Sequence, residues 1–352
     1  MLFTKESIAL QDLFAKKNNK LTSELEKLYH FFSNLHLKNI SYQSYSQKAQ
    51  NEISIQSSFI SKNIKKQSSK LNNLISIVLF IEKTEVCLNV YYRKGNINTF
   101  INNIIDYIQF LLSIDDIQKE KIIINYYLTN NKKYIQSKIP TKDNINSGSC
   151  LNNRDTSIIN IWRKEEVLKV TLHELIHALC FDDYNDTIEI INHYKQRYSI
   201  SSGSVQTNEA YTEIWANLIN CFLLSKKINP SDEKEFYKLV SFEKLFSDFQ
   251  ANKIFHHTGL DIKGKLININ KNTNVLSYYI IRNELFNNLS QFLNFCRKNN
   301  TNYLKIQNPS KWLVFLKENN KVRKHKKKIE QIDHKKHEYK TLRMSINEMD
   351  LF

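Results

Sequence analysis

Apolar residues, many of them β-branched or aromatic, dominate 74–81 (Leu-Ile-Ser-Ile-Val-Leu-Phe-Ile) and again 86–92 (Val-Cys-Leu-Asn-Val-Tyr-Tyr). Two such β-branched runs, separated by a turn carrying Glu82, Lys83 and Thr84, predict a pair of strands. A helical period follows. Over 98–112, Phe100, Ile101, Ile104, Ile105, Ile108, Leu111 and Leu112 fall three and four apart, the spacing of one helix face. Further strands are predicted at 122–128 and 158–162, and a helix follows from Val167, Val170, Leu172, Leu175, Ile176 and Leu179. From 208 onward the pattern is helical, with segments expected at 208–223, 233–245, 249–257 and 275–292. Strands first and helices after give an α+β fold, a mixed sheet lobe packed on a mainly helical C-terminal lobe. Residues 1–70 read as a helical N-terminal region, with Leu21, Leu25, Leu28 and Phe31 at heptad-like spacing and a less regular Ser/Gln/Lys-rich stretch over 41–69. The expected organisation is therefore 1–70, a main domain over 71–317, and a tail over 318–352.

Composition changes that picture at one end. The chain has 352 residues and a net charge of +16, spread diffusely except for Lys-Val-Arg-Lys-His-Lys-Lys-Lys at 321–328, followed by Lys335, Lys336, Lys340 and Arg343. A basic run of this kind fits an anionic partner, nucleic acid or a membrane surface, or a solvated tail, and the solvated tail is the simpler reading. On that reading, deleting 318–352 leaves the main domain working. The five cysteines (Cys87, Cys150, Cys180, Cys221, Cys296) are odd in number and have no CxxC spacing, which argues against a disulfide framework and for a reducing compartment. The first residues lack a secretory apolar core, and no apolar run approaches the ~20 residues that span a bilayer. A cytoplasmic protein without a transmembrane segment is expected.

Candidate chemistry lies in the 167–179 helix. His173-Glu174-Leu175-Ile176-His177 is an HExxH motif. Residues four apart on a helix share a face, so both imidazoles can reach one zinc ion at about 2.0–2.1 Å, with Glu174 beside them as a general base for water. A catalytic zinc takes three protein ligands, so a third is required. Asn208-Glu209-Ala210-Tyr211-Thr212-Glu213 opens the next helical run, with Thr207 or Asn208 as its cap, and Glu209 and Glu213 are again four apart. Glu209 is assigned as the third ligand, and Glu213 as the acceptor of a ligand histidine's other N–H, most naturally that of His173. The rival third ligand is Asp183, six residues after His177. Against it, Cys180 stands where that arrangement places a turn-permitting glycine, and the only methionines are Met1, Met344 and Met349. Asp182, Asp183 and Asp186 are expected to end the helix and face solvent.

The pair of motifs, HExxH followed by Asn-Glu-Ala-x-Thr-Glu, resembles the signature of thermolysin-like gluzincins, a class of zincin metallopeptidases, with Glu213 standing for their aspartate and Thr212 for their serine. The stretch Asn146-Ser147-Gly148 and residues 161–170 also resemble metalloproteases encoded by large DNA viruses. The resemblance covers roughly residues 120 to 285 and implies a zincin-like fold and peptide-bond hydrolysis of a protein or peptide substrate. It assigns zinc to His173, His177 and Glu209, and catalysis to Glu174. The viral likeness implies the host cytoplasm or the virion. The resemblance further implies a substrate strand along the sheet edge, for which 157–162 is the candidate. It also implies a Tyr or His from the helical lobe that donates to the oxyanion. The first choice is Tyr278 or Tyr279, then His256 and His257, with His193 and Tyr211 behind. The alternatives are a zincin fold kept as a silent binding protein, and the metzincin-like site built on Asp183.

Overall fold

In the computed structural model, described over residues 2–14, 22–49, 60–116, 119–201, 205–260, 267, 269, 273–319 and 337–352, the chain forms a six-stranded mixed sheet. The strands are β1 (Ile40–Ala49), β2 (Asn73–Ile81), β3 (Thr84–Tyr92), β4 (Lys121–Tyr127), β5 (Gly148–Asn152) and β6 (Thr156–Ile161). The described helices, short turns apart, are α1 (Lys5–Asp12), α2 (Ser23–Ser33), α3 (Lys62–Ser68), α4 (Asn98–Leu112), α5 (Lys142–Ile145), α6 (Val167–Ala178), α7 (Ile188–Tyr198), α8 (Thr207–Ile228), α9 (Glu233–Thr258), α10 (Arg282–Asn287), α11 (Leu289–Asn299) and α12 (Pro309–Glu318). A π-helix occupies Leu276–Ile281. The fold is α+β, with a mixed sheet and a helical C-terminal part. Among the described residues, no helix is long and apolar enough to cross a membrane.

Two compact units emerge. One comprises 34–132, 146–180 and 350–352; the other comprises 1–33, 133–145 and 181–349. This division does not follow 1–70, 71–317 and 318–352. The N-terminal helices α1 and α2 belong with the helical unit, where Glu24 of α2 is paired with Arg297 of α11 at 2.9 Å. Residues 341–349 belong there too, and the rest of the basic run (321–328, Lys335, Lys336) lies outside the described residues.

In the sheet unit the strand order is β1-β2-β3-β4-β6-β5. Strands β3, β4 and β6 run parallel, while β1/β2, β2/β3 and β5/β6 are antiparallel. A parallel neighbour needs a crossover, and α4 supplies it between β3 and β4. The alternation places Ile75, Ile77, Leu79, Val86, Leu88, Val90, Ile122, Ile124, Ile159 and Ile161 on the buried side. Both α4 and α6 are buried along most of their length, and α6 packs against α4, β5 and β6. On the other face the register aligns Ser76, Asn89, Asn125 and Asn160 side by side. Two of the amides there donate to the next one's oxygen, at 3.0 Å from Asn89 to Asn125 and 3.1 Å from Asn125 to Asn160.

Two expectations are corrected here. Residues 40–49 are not helical: they pair with β2, and a register shift between Tyr42 and Ser44 breaks the alternation that would have marked a strand. The sheet edge beyond β6 is β5, since β6 is flanked by β4 and β5 on its two sides. The candidate at 157–162 is therefore an interior strand, which fits its three isoleucines, whereas the edge is the short and polar Gly-Ser-Cys-Leu-Asn.

In the helical unit α8 and α9 form the centre. The stretch expected as two helices over 233–257 is continuous, closed by Gly259 in the left-handed region at φ 75. Residues 341–349 run through this unit as a buried strap. Leu342, Met344 and Ile346 are buried, and the main chain is held by side chains. Lys253 and Gln250 donate to the Thr341 carbonyl, Gln250 to that of Arg343, Tyr279 to that of Leu342, and Arg282 to that of Met344. In return Glu243 accepts from the N–H groups of Ile346 and Asn347 at 3.1 and 3.2 Å, and from the Ser345 hydroxyl.

Burial outweighs those donors and pushes the Glu243 carboxyl up to about 7 from 4.5. Between about pH 4.5 and 7 the folded chain therefore keeps a proton that the unfolded chain has lost. Stability falls as pH rises through that window and is level above it, by up to about 3 kcal/mol from this group. Urea unfolding at pH 5 and pH 8 checks this: the wild type is expected to lose more stability between the two than Glu243→Gln, which cannot ionise. Equal losses would refute it.

Candidate metal centre

Helix α6 begins without a side-chain cap, from Glu166 at φ 59, and Thr171 bonds back to the Val167 carbonyl. Eleven of its twelve residues are buried, so an interior helix carries four ionisable side chains, Lys169, His173, Glu174 and His177. His173 and His177 stand one turn apart with their Nε2 atoms 3.2 Å from each other and their rings at 79°. At that separation two ring nitrogens either share a proton or face a common cation. For bonds of about 2.0–2.1 Å at a tetrahedral angle, the N–N separation would be roughly 3.3 Å.

The C-terminal end of α6 is fixed from the sheet edge. The Asn152 amide, at the end of β5, donates to the His177 carbonyl at 3.0 Å and to the Cys180 sulfur at 3.1 Å. Its own oxygen accepts from Lys119 and Ser157, each at 2.7 Å. Cys180 takes φ 55, so the helix turns there with cysteine in place of glycine. The objection drawn from Cys180 against a glycine-like turn therefore does not hold; the placement of Asp183 decides against that arrangement instead, as given below.

Glu174 is only 6% exposed and lies directly beneath the edge strand. A Cβ at Gly148 would fall 2.8 Å from both Cγ and Cδ of Glu174, closer than side-chain atoms approach one another, and would also meet Oε1. The absence of a side chain at 148 is what lets β5 and Glu174 coexist. Gly148→Ala is expected to keep the fold and the histidines but displace Glu174, lowering the turnover of any reaction that uses it by roughly 10²-fold. Steady-state kinetics together with metal content check this, and an unchanged kcat would refute it.

Glu209 and Glu213 stand on α8, whose start is held by acidic groups. Thr207 is the first helical residue, and its N–H and hydroxyl donate to the Asp186 carboxylate, the former at 2.7 Å. Asp182 accepts from the Thr212 hydroxyl at 2.9 Å. Carboxylates are favoured at a helix N-terminus, where the first N–H groups lack partners. Asp182 and Asp186 thus do not face solvent as expected, and burial raises the Asp186 pKa. Asp183 is exposed. The cap is Asp186 acting from outside the helix, since neither Thr207 nor Asn208 occupies the capping position.

Oε1 of Glu209 accepts from the Asn274 amide at 3.2 Å, and Oε2 is shielded from solvent. Glu213 is 1% exposed and its Oε1 is 3.3 Å from Nη1 of Arg282, itself fully buried. Asn274 and Arg282 bracket the π-helix, a rare backbone form that is frequent at functional sites. Sequence reasoning missed both residues, and Asp186 as well.

One ligand atom from each of His173, His177 and Glu209 lies within 4.8 Å of the others, a group that could hold a metal ion. Asp183 is not part of it. Two imidazoles and a carboxylate are a donor set suited to first-row divalent ions. The remaining candidates divide by their partners. Tyr279 is fully buried with its hydroxyl on the Leu342 carbonyl at 2.5 Å, and the Tyr211 hydroxyl donates to Leu304 at 2.5 Å. Both hydroxyls are thus engaged by main-chain carbonyls in the core. His257 contacts the Ser137 carbonyl at 2.8 Å and His256 is exposed. His193 is half-buried, and desolvation together with Arg197 and Lys317 lowers its pKa. Tyr278 is half-buried on the π-helix.

Comparison of the chain with protein-family models, with curated proteins and with solved structures gave no match.

Proposed function

We propose that this chain is a zinc metallopeptidase of gluzincin type, cleaving peptide bonds in a protein or peptide substrate. The observation that carries the reading is the convergence of His173, His177 and Glu209, with Glu174 held on the same helix against the edge strand β5. A zinc ion bound by the three would supply Lewis acidity, lowering the pKa of water towards about 7 and polarising a carbonyl. Glu174 then has two tasks: to take a proton from water and to deliver it to the leaving amine. Its burial at 6% exposure keeps bulk water from competing for that proton.

Among the described residues β5 pairs with β6 alone, and on this reading an extended peptide lies along its other side in antiparallel or parallel register. Gly148 brings the same strand against Glu174, and a peptide laid along β5 would have its main chain beside the proton-transferring group. Tyr278 is retained as donor to the developing oxyanion. The zincin-like fold is part of this reading, supported by the mixed sheet, its short edge strand and the buried HExxH helix packed beneath it.

The experiment that tests it compares wild-type protein with Glu174→Gln for metal content and for new termini in a peptide mixture read by mass spectrometry. Cleavage by the wild type alone, with metal in both, supports the reading. Wild-type protein that contains and takes up no metal would sink it.

A further inference from the structure

Glu213 and Arg282 form an ion pair with side-chain exposures of 1% and 0%. Removing both charges from water is costly, and such a pair is weak as a source of stability. It is retained in a helical core that Leu or Met could fill, so a positional role is the natural question. The pair does not stand alone. Nη1 of Arg282 also donates to Asn217 Oδ1 at 3.2 Å and to the Met344 carbonyl of the strap. Eight residues before Arg282, Asn274 donates to Glu209. Both residues are placed by one π-helix, whose wider turn re-phases the helix that follows. A single segment thus addresses both carboxylates of the Glu209/Glu213 face of α8, one at each end.

Building on the metal-centre reading, we propose that the segment 274–282 is the positioning element of the metal group: Asn274 orients Glu209, Arg282 orients Glu213, and the strap carbonyl of Met344 orients Arg282. None of the three touches the reacting atoms. Their effect is to fix the rotamers of two carboxylates one turn apart, and hence the direction from which Glu209 approaches the cation. All three acceptors meet one nitrogen of the guanidinium, Nη1, so Glu213, Asn217 and the strap carbonyl are tied together at a single point.

The test uses the full chain, stripped by a chelator and titrated with Zn²⁺ and with Co²⁺, whose visible absorption reports coordination geometry. Arg282→Met is expected to weaken both ions roughly 10- to 100-fold and to alter the Co²⁺ spectrum. Arg282→Lys should recover part of the affinity, and Asn274→Ala should weaken binding less than Arg282→Met. A folded Arg282→Met protein with wild-type affinity and spectrum overturns the positioning role. Should Arg282→Met not unfold cooperatively, the double variant Arg282→Met/Glu213→Gln removes both buried charges. Weakened binding there supports the role, and wild-type binding overturns it. Wild-type protein that binds neither ion overturns the metal-centre reading itself, a result distinct from unaltered binding in the variants.

Discussion

On the proposed reading, Glu174→Gln is expected to retain metal binding and lose peptide cleavage, with the rate falling by about a thousandfold. The substitution changes one oxygen to an amide nitrogen and leaves the volume unaltered, so the close approach of Gly148 to the side chain is preserved. The histidines on either side remain one turn apart, and nothing in the His173, His177, Glu209 group is touched. What disappears is a group able to accept a proton, and positioned acid–base catalysis contributes roughly 10²–10⁴-fold. The measurement is paired: metal content by elemental analysis, and initial rates on a peptide found to be cleaved by the wild type. Undiminished cleavage would remove Glu174 from the mechanism while leaving the metal group standing. Loss of metal along with activity would show that Glu174 acts on the ligands, not on water.

The second large effect concerns the last residues. Sequence reasoning treats 318–352 as a dispensable basic tail. The structure reverses that for 341–349. Truncation after Lys340 is expected to abolish the folded helical unit. It removes Leu342, Met344 and Ile346 from the core, each worth about 1.5–3 kcal/mol of buried apolar side chain. It also strips acceptors from Lys253, Gln250, Tyr279 and Arg282, and each buried donor left unmet costs about 1–3 kcal/mol. The total is comparable to the roughly 5–15 kcal/mol that holds a typical domain together. Expression of the truncated chain, followed by circular dichroism and thermal unfolding, checks this. A soluble truncated protein with the wild-type unfolding temperature would show the strap to be an accessory.

Much of the framework is legible from local pattern. Strands β2, β3, β4 and β6 and helix α4 fall within a residue or two of where the apolar, β-branched runs and the helical period place them. Both signals arise from one buried face per element, and burial is what selects residue type there. The metal group is legible for a similar reason: four-residue spacing on a helix already fixes which side chains share a face. The misses have a common cause. Strand β1 hides behind its bulge, and β5 is five residues long and polar. Asp186, Asn274, Arg282 and the strap act on partners many positions away, through hydrogen bonds between ordinary polar residues. Asparagine, so abundant here, carries no local signature of the one amide that meets Glu209.

The strap is read through its carbonyl oxygens, atoms that every amino acid possesses. Some of its side chains are held as well, Ser345 and Asn347 on Glu243 and Arg343 on Ser7, so substitution there carries a cost of its own even when the main chain keeps its path. Loss or gain of one residue between Thr341 and Asn347 is another matter. It would slide each carbonyl past the donor awaiting it and reverse the inward and outward positions, a change of phase that no compensating substitution elsewhere could repair in a single step.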